Sequence, residues 1–183
     1  YEDLKAVNSN LIYVSISGYG PDGPDSGHRV YDNVIQAASG LASVQTDPRN
    51  GEPSLFRTLL CDKVTSLTAA QAISSALYAR AAGNADGQHI VLAMLDAAVS
   101  FMWPDSGMDA VLLDDDANRT PTIGQNYGST RLKDGFAAVA VVSDSEFKGL
   151  CHTYSRPDLA DDERFATMAG RTMNASELVP LMI

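Results

Sequence analysis

Two cysteines and three histidines in 183 residues leave little material for several kinds of chemistry. Cys61 and Cys151 stand far apart, with no C-x-x-C and no ordered Cys/His spacing. That argues against a disulfide framework or a structural zinc site and makes a reducing cytoplasm the expected compartment. His28, His89 and His152 are scattered, no pair has ligand spacing on one helix, and none is read as a metal ligand. No apolar run approaches the ~20 residues that cross a bilayer, so no membrane partner is expected. Basic residues are scarce: 13 Lys and Arg against 23 Asp and Glu give a net charge of −10. Binding to a nucleic-acid backbone, which needs a basic patch, is therefore not expected, although a locally positive site can still hold a nucleotide-bearing cofactor. G-x-S-x-G is missing, and Ser17-Gly18 and Ser39-Gly40 both lack the preceding glycine, which removes a Ser/His/Asp hydrolase. G-x-G-x-x-G with a following acidic residue is missing too, which removes an NAD site. Asp114-Asp115-Asp116 lacks the D-x-D-x-D-G frame of a calcium loop and reads as solvated chain.

What is present is a globular composition, 45% hydrophobic and 20% charged. Leu11–Ser17 is nearly apolar and rich in β-branched residues, a strand expected to be buried on both faces of a parallel α/β sheet. It runs into Gly18-Tyr19-Gly20-Pro21-Asp22-Gly23-Pro24, a loop placed where open α/β sheets bind ligands. A helix is predicted over Tyr31–Ser39, stopped by Gly40, and an extended segment over Leu55–Leu60. Val64, Leu67, Ala70, Ile73, Ala76 and Leu77 predict an amphipathic helix from Val64 to Arg80 that packs on that face. Gly83–Gly87 reads as an exit turn, Gln88–Ala93 as a strand and Leu95–Met102 as an apolar helix. Further on, Asp134-Gly135 between Tyr127–Arg131 and Phe136–Val142 signals a hairpin. Ser143 and Glu146 form a capping box opening a helix to about Tyr154, and Asn174 with Glu177 marks a second helix start. The domain expectation is one folding unit over 1–103, a linker over 104–119 and a second unit from 120 to 183. The two ends, which resemble neither a signal peptide nor a finished helix, are those expected of a piece of a longer chain.

Asp62 is the first candidate for chemistry. It is expected at or just before the N-terminus of the long helix, where aspartate serves as an N-cap worth about 0.5–2 kcal/mol. The competing reading is a nucleophilic carboxylate that attacks an acyl carbon to give a mixed anhydride, at a helix end whose dipole favours negative charge. Capping alone predicts no cleft. The second candidate is Ser17-Gly18-Tyr19-Gly20, where glycines admit a ligand to the backbone and Tyr19 offers a ring and a hydroxyl, or merely covers the sheet end. Cys61 beside Asp62 reads as packing, because a neighbouring carboxylate raises a thiol pKa.

Four blocks resemble one known family. Leu11–Pro24, Tyr31-Asp32-Asn33-Val34-Ile35-Gln36-Ala37, Asp62-Lys63 ahead of an alanine-rich helix, and Gly87-Gln88-His89-Ile90-Val91 are similar to the class III CoA-transferases, the CaiB/BaiF family that includes formyl-CoA transferase. The likeness continues more loosely through Lys133-Asp134-Gly135-Phe136 and Pro157-Asp158-Leu159 to Arg164-Phe165. It implies an α/β fold: part of a Rossmann-like large domain with a parallel sheet, a linker, and the start of a smaller α+β domain. Members are roughly twice this length and form interlocked homodimers. The substrates implied are an acyl-CoA and a small carboxylic acid, with coenzyme A carried as the thioester and no metal. The family's catalytic aspartate aligns with Asp62, and Ile16, Ser17, Gly18 and Tyr19 align with a CoA-contacting stretch. A lysine of formyl-CoA transferase in that stretch is Ser17 here. Pro121–Gly128 does not reproduce that enzyme's glycine-rich loop, so formyl or oxalyl specificity is not expected. Racemases of the same superfamily pair the aspartate with a histidine whose position falls on Tyr31, and His28 reaches it only through a shifted loop. A tyrosine, with an ordinary pKa of about 10, is a poor general base at neutral pH, which favours transfer over racemisation. The remaining alternative is a non-catalytic dimerisation scaffold in which Asp62 only caps its helix.

Overall fold

The β-branched run near the start forms strand β1 (Ile12–Ser17), preceded by a short helix α1 (Glu2–Val7). Strand β1 pairs in parallel with β2 (Gln88–Ala93), in a register running from Ile12 opposite Gln88 to Ser17 opposite Ala93. The computed structural model describes residues 1–47, 50–117 and 127–182, and it divides into two units, Tyr1–Tyr127 and Gly128–Ile183.

In the first unit α2 (Asp32–Ala38) ends where Gly40 takes a φ of +90°, a conformation that glycine adopts at no steric cost. A single turn, α3 (Leu41–Val44), follows. Residues 52–56 run without strand pairing and the chain bends at 57 and 58; α4 (Leu60–Ala81) then runs for 22 residues to a turn at Gly83. Strand β2 passes directly into α5 (Met94–Met102), which continues as a π-helical turn (Trp103–Gly107) and a 3₁₀ turn (Met108–Val111). The first half of the stretch expected as a linker therefore carries helical turns, and its last two residues, 118 and 119, lie outside the described residues. The core gathers Ile35, Leu41, Cys61 and Ala98, with Tyr19, Phe56, Met94 and Met102 packed around them.

Two expectations need correction. Strand β1 is half-buried, with Ile16 53% exposed, because β2 is its one neighbour among the described residues and the faces are only partly covered. Helix α4 starts four residues earlier than predicted, and although Ala76 is buried as expected, the other buried residues are Cys61, Thr65 and Ala69 where Leu67 and Leu77 were expected. Leu67 is 73% exposed and Tyr78 75%. The reason is close packing of small residues: α4 lies on α5, whose own buried residues are Ala97 and Ala98. Four hydroxyls on α4 donate to carbonyls within the helix: Thr65 to that of Cys61, Ser66 to Asp62, Thr68 to Val64 and Ser74 to Ala70.

In the second unit β3 (Ser129–Arg131) and β4 (Phe136–Ala138) form the expected antiparallel hairpin, closed by a bond from the Leu132 N–H to the Gly135 carbonyl. Helix α6 (Asp144–Thr153) opens with the predicted capping box. Helices α7 (Pro157–Ala160), α8 (Met168–Met173) and α9 (Ala175–Leu181) complete the unit around Phe147, Cys151, Leu159 and Phe165. Asn174 precedes α9 as expected, but its amide donates back to the Gly170 and Arg164 carbonyls and does not cap. Among the described residues no helix is long and apolar enough to cross a membrane.

Candidate active site

The carboxyl ends of β1 and β2 meet one edge of the site. Past Ser17 the chain turns through Gly20, whose N–H donates to the Ser17 hydroxyl at 3.1 Å, and the Leu95 N–H at the start of α5 donates to the Gly18 carbonyl. Gly18 lies against Val30: a Cβ there would stand 2.5 Å from a Val30 methyl. Of the four residues aligned with a CoA-contacting stretch, Ile16 is the exposed one. Ser17 closes the turn, Gly18 abuts Val30 and Tyr19 packs against the core.

Helix α2 turns a polar pair inward. Asp32 and Gln36, one helical turn apart beside Ile35, are both buried. The Gln36 amide donates to Asp32 Oδ1 at 2.5 Å and also faces the Phe56 and Thr58 carbonyls, while its own carbonyl accepts the Phe56 N–H at 2.8 Å. Gln36 thus pins the segment ahead of α4. Asp32 completes the clamp, because its Oδ2 accepts the Asp62 N–H at 3.0 Å. This buried carboxylate caps the first turn of α4 from another helix, where the exposed N–H groups and the dipole favour a negative charge.

That arrangement overturns the N-cap reading of Asp62. Leu59 occupies the cap position without a side-chain bond, and Asp62 lies in the first turn, at the third helical residue. Among the described residues the Asp62 carboxylate makes no hydrogen bond or ion pair, and the residue is exposed. It lines a cleft of about 630 Å³ together with Tyr31, Asp32, Arg57, Thr58 and Met94. Val30 and Met94 also line it, so the cleft adjoins the ends of both strands.

Cys61, next to Asp62, is fully buried, and its thiol is pushed up to about 11 by burial first and by the Asp32 and Asp62 carboxylates second. It is packing, as expected. Tyr31, at the position aligned with the racemase histidine, lines the cleft, while His28 is exposed and paired with Asp25 at 3.1 Å. His89 lies on β2 with its ring nitrogen 2.8 Å from the Ser15 hydroxyl. No metal-ligating cluster forms among the described residues. The stretch compared with a glycine-rich loop, Pro121–Gly128, falls mostly on 121–126, outside the described residues. Sequence reasoning missed Asp32, Gln36 and Arg57. Two polar residues four apart around Ile35 on an apolar helix were the available signal for the clamp; nothing local marks Arg57.

The chain resembles several known proteins. A family model described as CoA-transferase family III matches residues 1–182. A succinate–glutarate CoA-transferase of Agrobacterium fabrum is 33% identical over 97% of this chain and 44% of its own length. An acetyl-CoA:oxalate CoA-transferase of Acetobacter aceti is 30% identical over 97% of the chain and 46% of its own. Among solved structures, a CaiB/BaiF family protein from Brucella suis is 32% identical with a TM-score of 0.71, covering 100% of this chain and 48% of that one. A hypothetical protein from Mycobacterium tuberculosis is 27% identical with a TM-score of 0.80, over the same shares. The chain spans less than half the length of the curated relatives it matches.

Proposed function

The chain belongs to CoA-transferase family III, and from that premise we propose that the protein moves CoA from an acyl-CoA to a carboxylic acid, with Asp62 receiving the acyl group. The observation that carries this reading is the unengaged Asp62 carboxylate in the first turn of α4, lining a cleft while Asp32 does the capping. A capping aspartate spends its oxygens on the helix; this one is left for a ligand.

The steps follow from carboxylate chemistry. An Asp62 oxygen attacks the thioester carbonyl, the C–S bond breaks, CoA leaves as thiolate, and a mixed anhydride remains. The thiolate attacks the Asp62 carbonyl of that anhydride, expelling the first acid as its carboxylate and leaving an aspartyl-CoA thioester. The acceptor carboxylate then displaces the thiolate to form a second anhydride. Attack of the thiolate on the acceptor's acyl carbon releases the new acyl-CoA and restores Asp62. No proton is gained or lost across the cycle. The Asp32–Gln36 clamp holds the α4 terminus still while each tetrahedral centre forms, which is the orientation term in the rate.

We place CoA along Ile16, Ser17, Gly18 and Tyr19 at the strand ends beside the cleft, supported by the exposure of Ile16. Asp62 is exposed in this chain, so shielding of the anhydride from water falls to CoA itself and to the second subunit of an interlocked homodimer. Residues 1–103 take the middle of the large domain, 104–119 the linker and 120–183 the opening of the small one. The racemase alternative needs a base where Tyr31 stands.

Incubation of the intact protein with acyl-CoA, followed by hydroxylamine trapping and peptide mass spectrometry, tests the reading. A hydroxamate on Asp62 is expected. Exchange of the α-hydrogen with solvent deuterium and no adduct would point to racemisation, and neither signal would leave a scaffold.

A further inference from the structure

Arg57 is held in place without being used. Gln36 bonds the N–H of Phe56 and the carbonyls of Phe56 and Thr58, so the backbone is pinned on both sides of Arg57. Phe56 packs against the core, and the chain bends at Arg57 and Thr58 just ahead of α4. Arg57 accordingly lines the cleft with Asp62. Among the described residues it forms no ion pair and no hydrogen bond, and it is the one Lys or Arg among the residues lining that cleft. Two of the other polar groups there are committed: both oxygens of Asp32 accept bonds, and the Thr58 hydroxyl accepts from Lys63 Nζ at 2.6 Å.

Resting on the transferase reading, we propose that Arg57 selects acyl groups carrying a second carboxylate at their far end, a dicarboxylic monoacyl-CoA. An acyl chain joined to Asp62 lies in a cleft with the Asp32 carboxylate on its wall, a setting that repels a free carboxylate. A guanidinium in the same cleft reverses that, and its planar fork matches the two carboxylate oxygens. A neutral acyl group leaves Arg57 hydrated at no cost, so neutral donors still react, only without the gain.

The test uses the intact protein, unsubstituted and as Arg57→Gln and Arg57→Lys. The donors are glutaryl-CoA and valeryl-CoA, equal in chain length and different in the terminal carboxylate, with acetate as acceptor. The unsubstituted protein prefers glutaryl-CoA, and Arg57→Gln lowers kcat/KM for that donor by about 10- to 100-fold while changing valeryl-CoA by less than about threefold. Arg57→Lys falls between, keeping the charge without the fork. An equal loss on both donors would assign Arg57 to the phosphates they share and overturn the proposal, as would no loss on either. Transfer from neither donor by the unsubstituted protein would bring down the transferase reading itself, a different result from transfer without preference.

Discussion

Helices α4 and α6 each carry an acid at the third helical position, and the two acids meet opposite fates. In α6, Ser143 accepts the Glu146 N–H, and the Glu146 carboxylate reaches back to the Ser143 N–H at 2.8 Å and the Val142 N–H at 3.0 Å. In α4 the cap position is Leu59, the bond to the Asp62 N–H comes from Asp32 thirty residues earlier, and the Asp62 side chain reaches back to nothing. A self-capped helix consumes its own acid. One capped from elsewhere keeps that acid available, so the same residue class at the same position serves stability in one unit and, under the proposed mechanism, chemistry in the other.

The sharpest way to break the contrast is to remove each acid in turn. Asp62→Asn should abolish CoA transfer, by about 10⁴-fold in kcat, since the nucleophile is gone. The same change should shift stability by about 1 kcal/mol or less, because no internal bond is lost. Glu146→Gln should leave transfer rates unchanged. Steady-state rates with thermal melts on both variants check this, and a large stability loss in Asp62→Asn would return that residue to a structural role.

A smaller effect belongs to the residue that makes the difference. Asp32→Ala orphans the Asp62 N–H and one bond of the Gln36 amide in a buried setting, which should cost about 2–3 kcal/mol. With the α4 terminus loosened, kcat should fall by about 10²-fold, well short of the Asp62→Asn loss. Asp32→Asn, which keeps the shape and can still accept one bond, should recover part of both. A rate loss in Asp32→Ala equal to that of Asp62→Asn would make Asp32 more than a positioning residue.

The contrast also explains what could be read in advance. The α6 capping box, the Asp134-Gly135 turn and β2 at Gln88–Ala93 are written in residues a few places apart, and local spacing revealed them. Asp62 was legible as a candidate. Its environment was not, because the Asp32–Asp62 bond joins residues thirty apart and Leu59 carries no capping signal. The buried face of α4 was legible only in part for a related reason: hydrophobic spacing marked Ala76, which is buried, but also Leu67 and Leu77, whereas close approach to α5 selected Ala69 and Thr65. Helix periodicity reports where apolar residues lie, not how near the neighbour comes.

The smallest expected effect lies at the self-capped end. The backbone N–H groups of Ser143 and Val142 hold the Glu146 carboxyl below the usual glutamate range. A group whose folded pKa is depressed contributes stability above its unfolded pKa and loses it as the pH falls through the folded value. Protection of the first α6 amides against hydrogen exchange should therefore weaken on acidification below the ordinary glutamate pKa. In Glu146→Gln, whose amide carbonyl accepts at any pH, that part of the profile should be flat. At α4 the expectation differs: Asp62→Asn should leave amide protection across the first turn as it was, since that carboxylate holds no backbone N–H. An α4 terminus that loosens on losing the Asp62 charge would mean that this acid also serves its own helix, and the separation between the two ends would collapse.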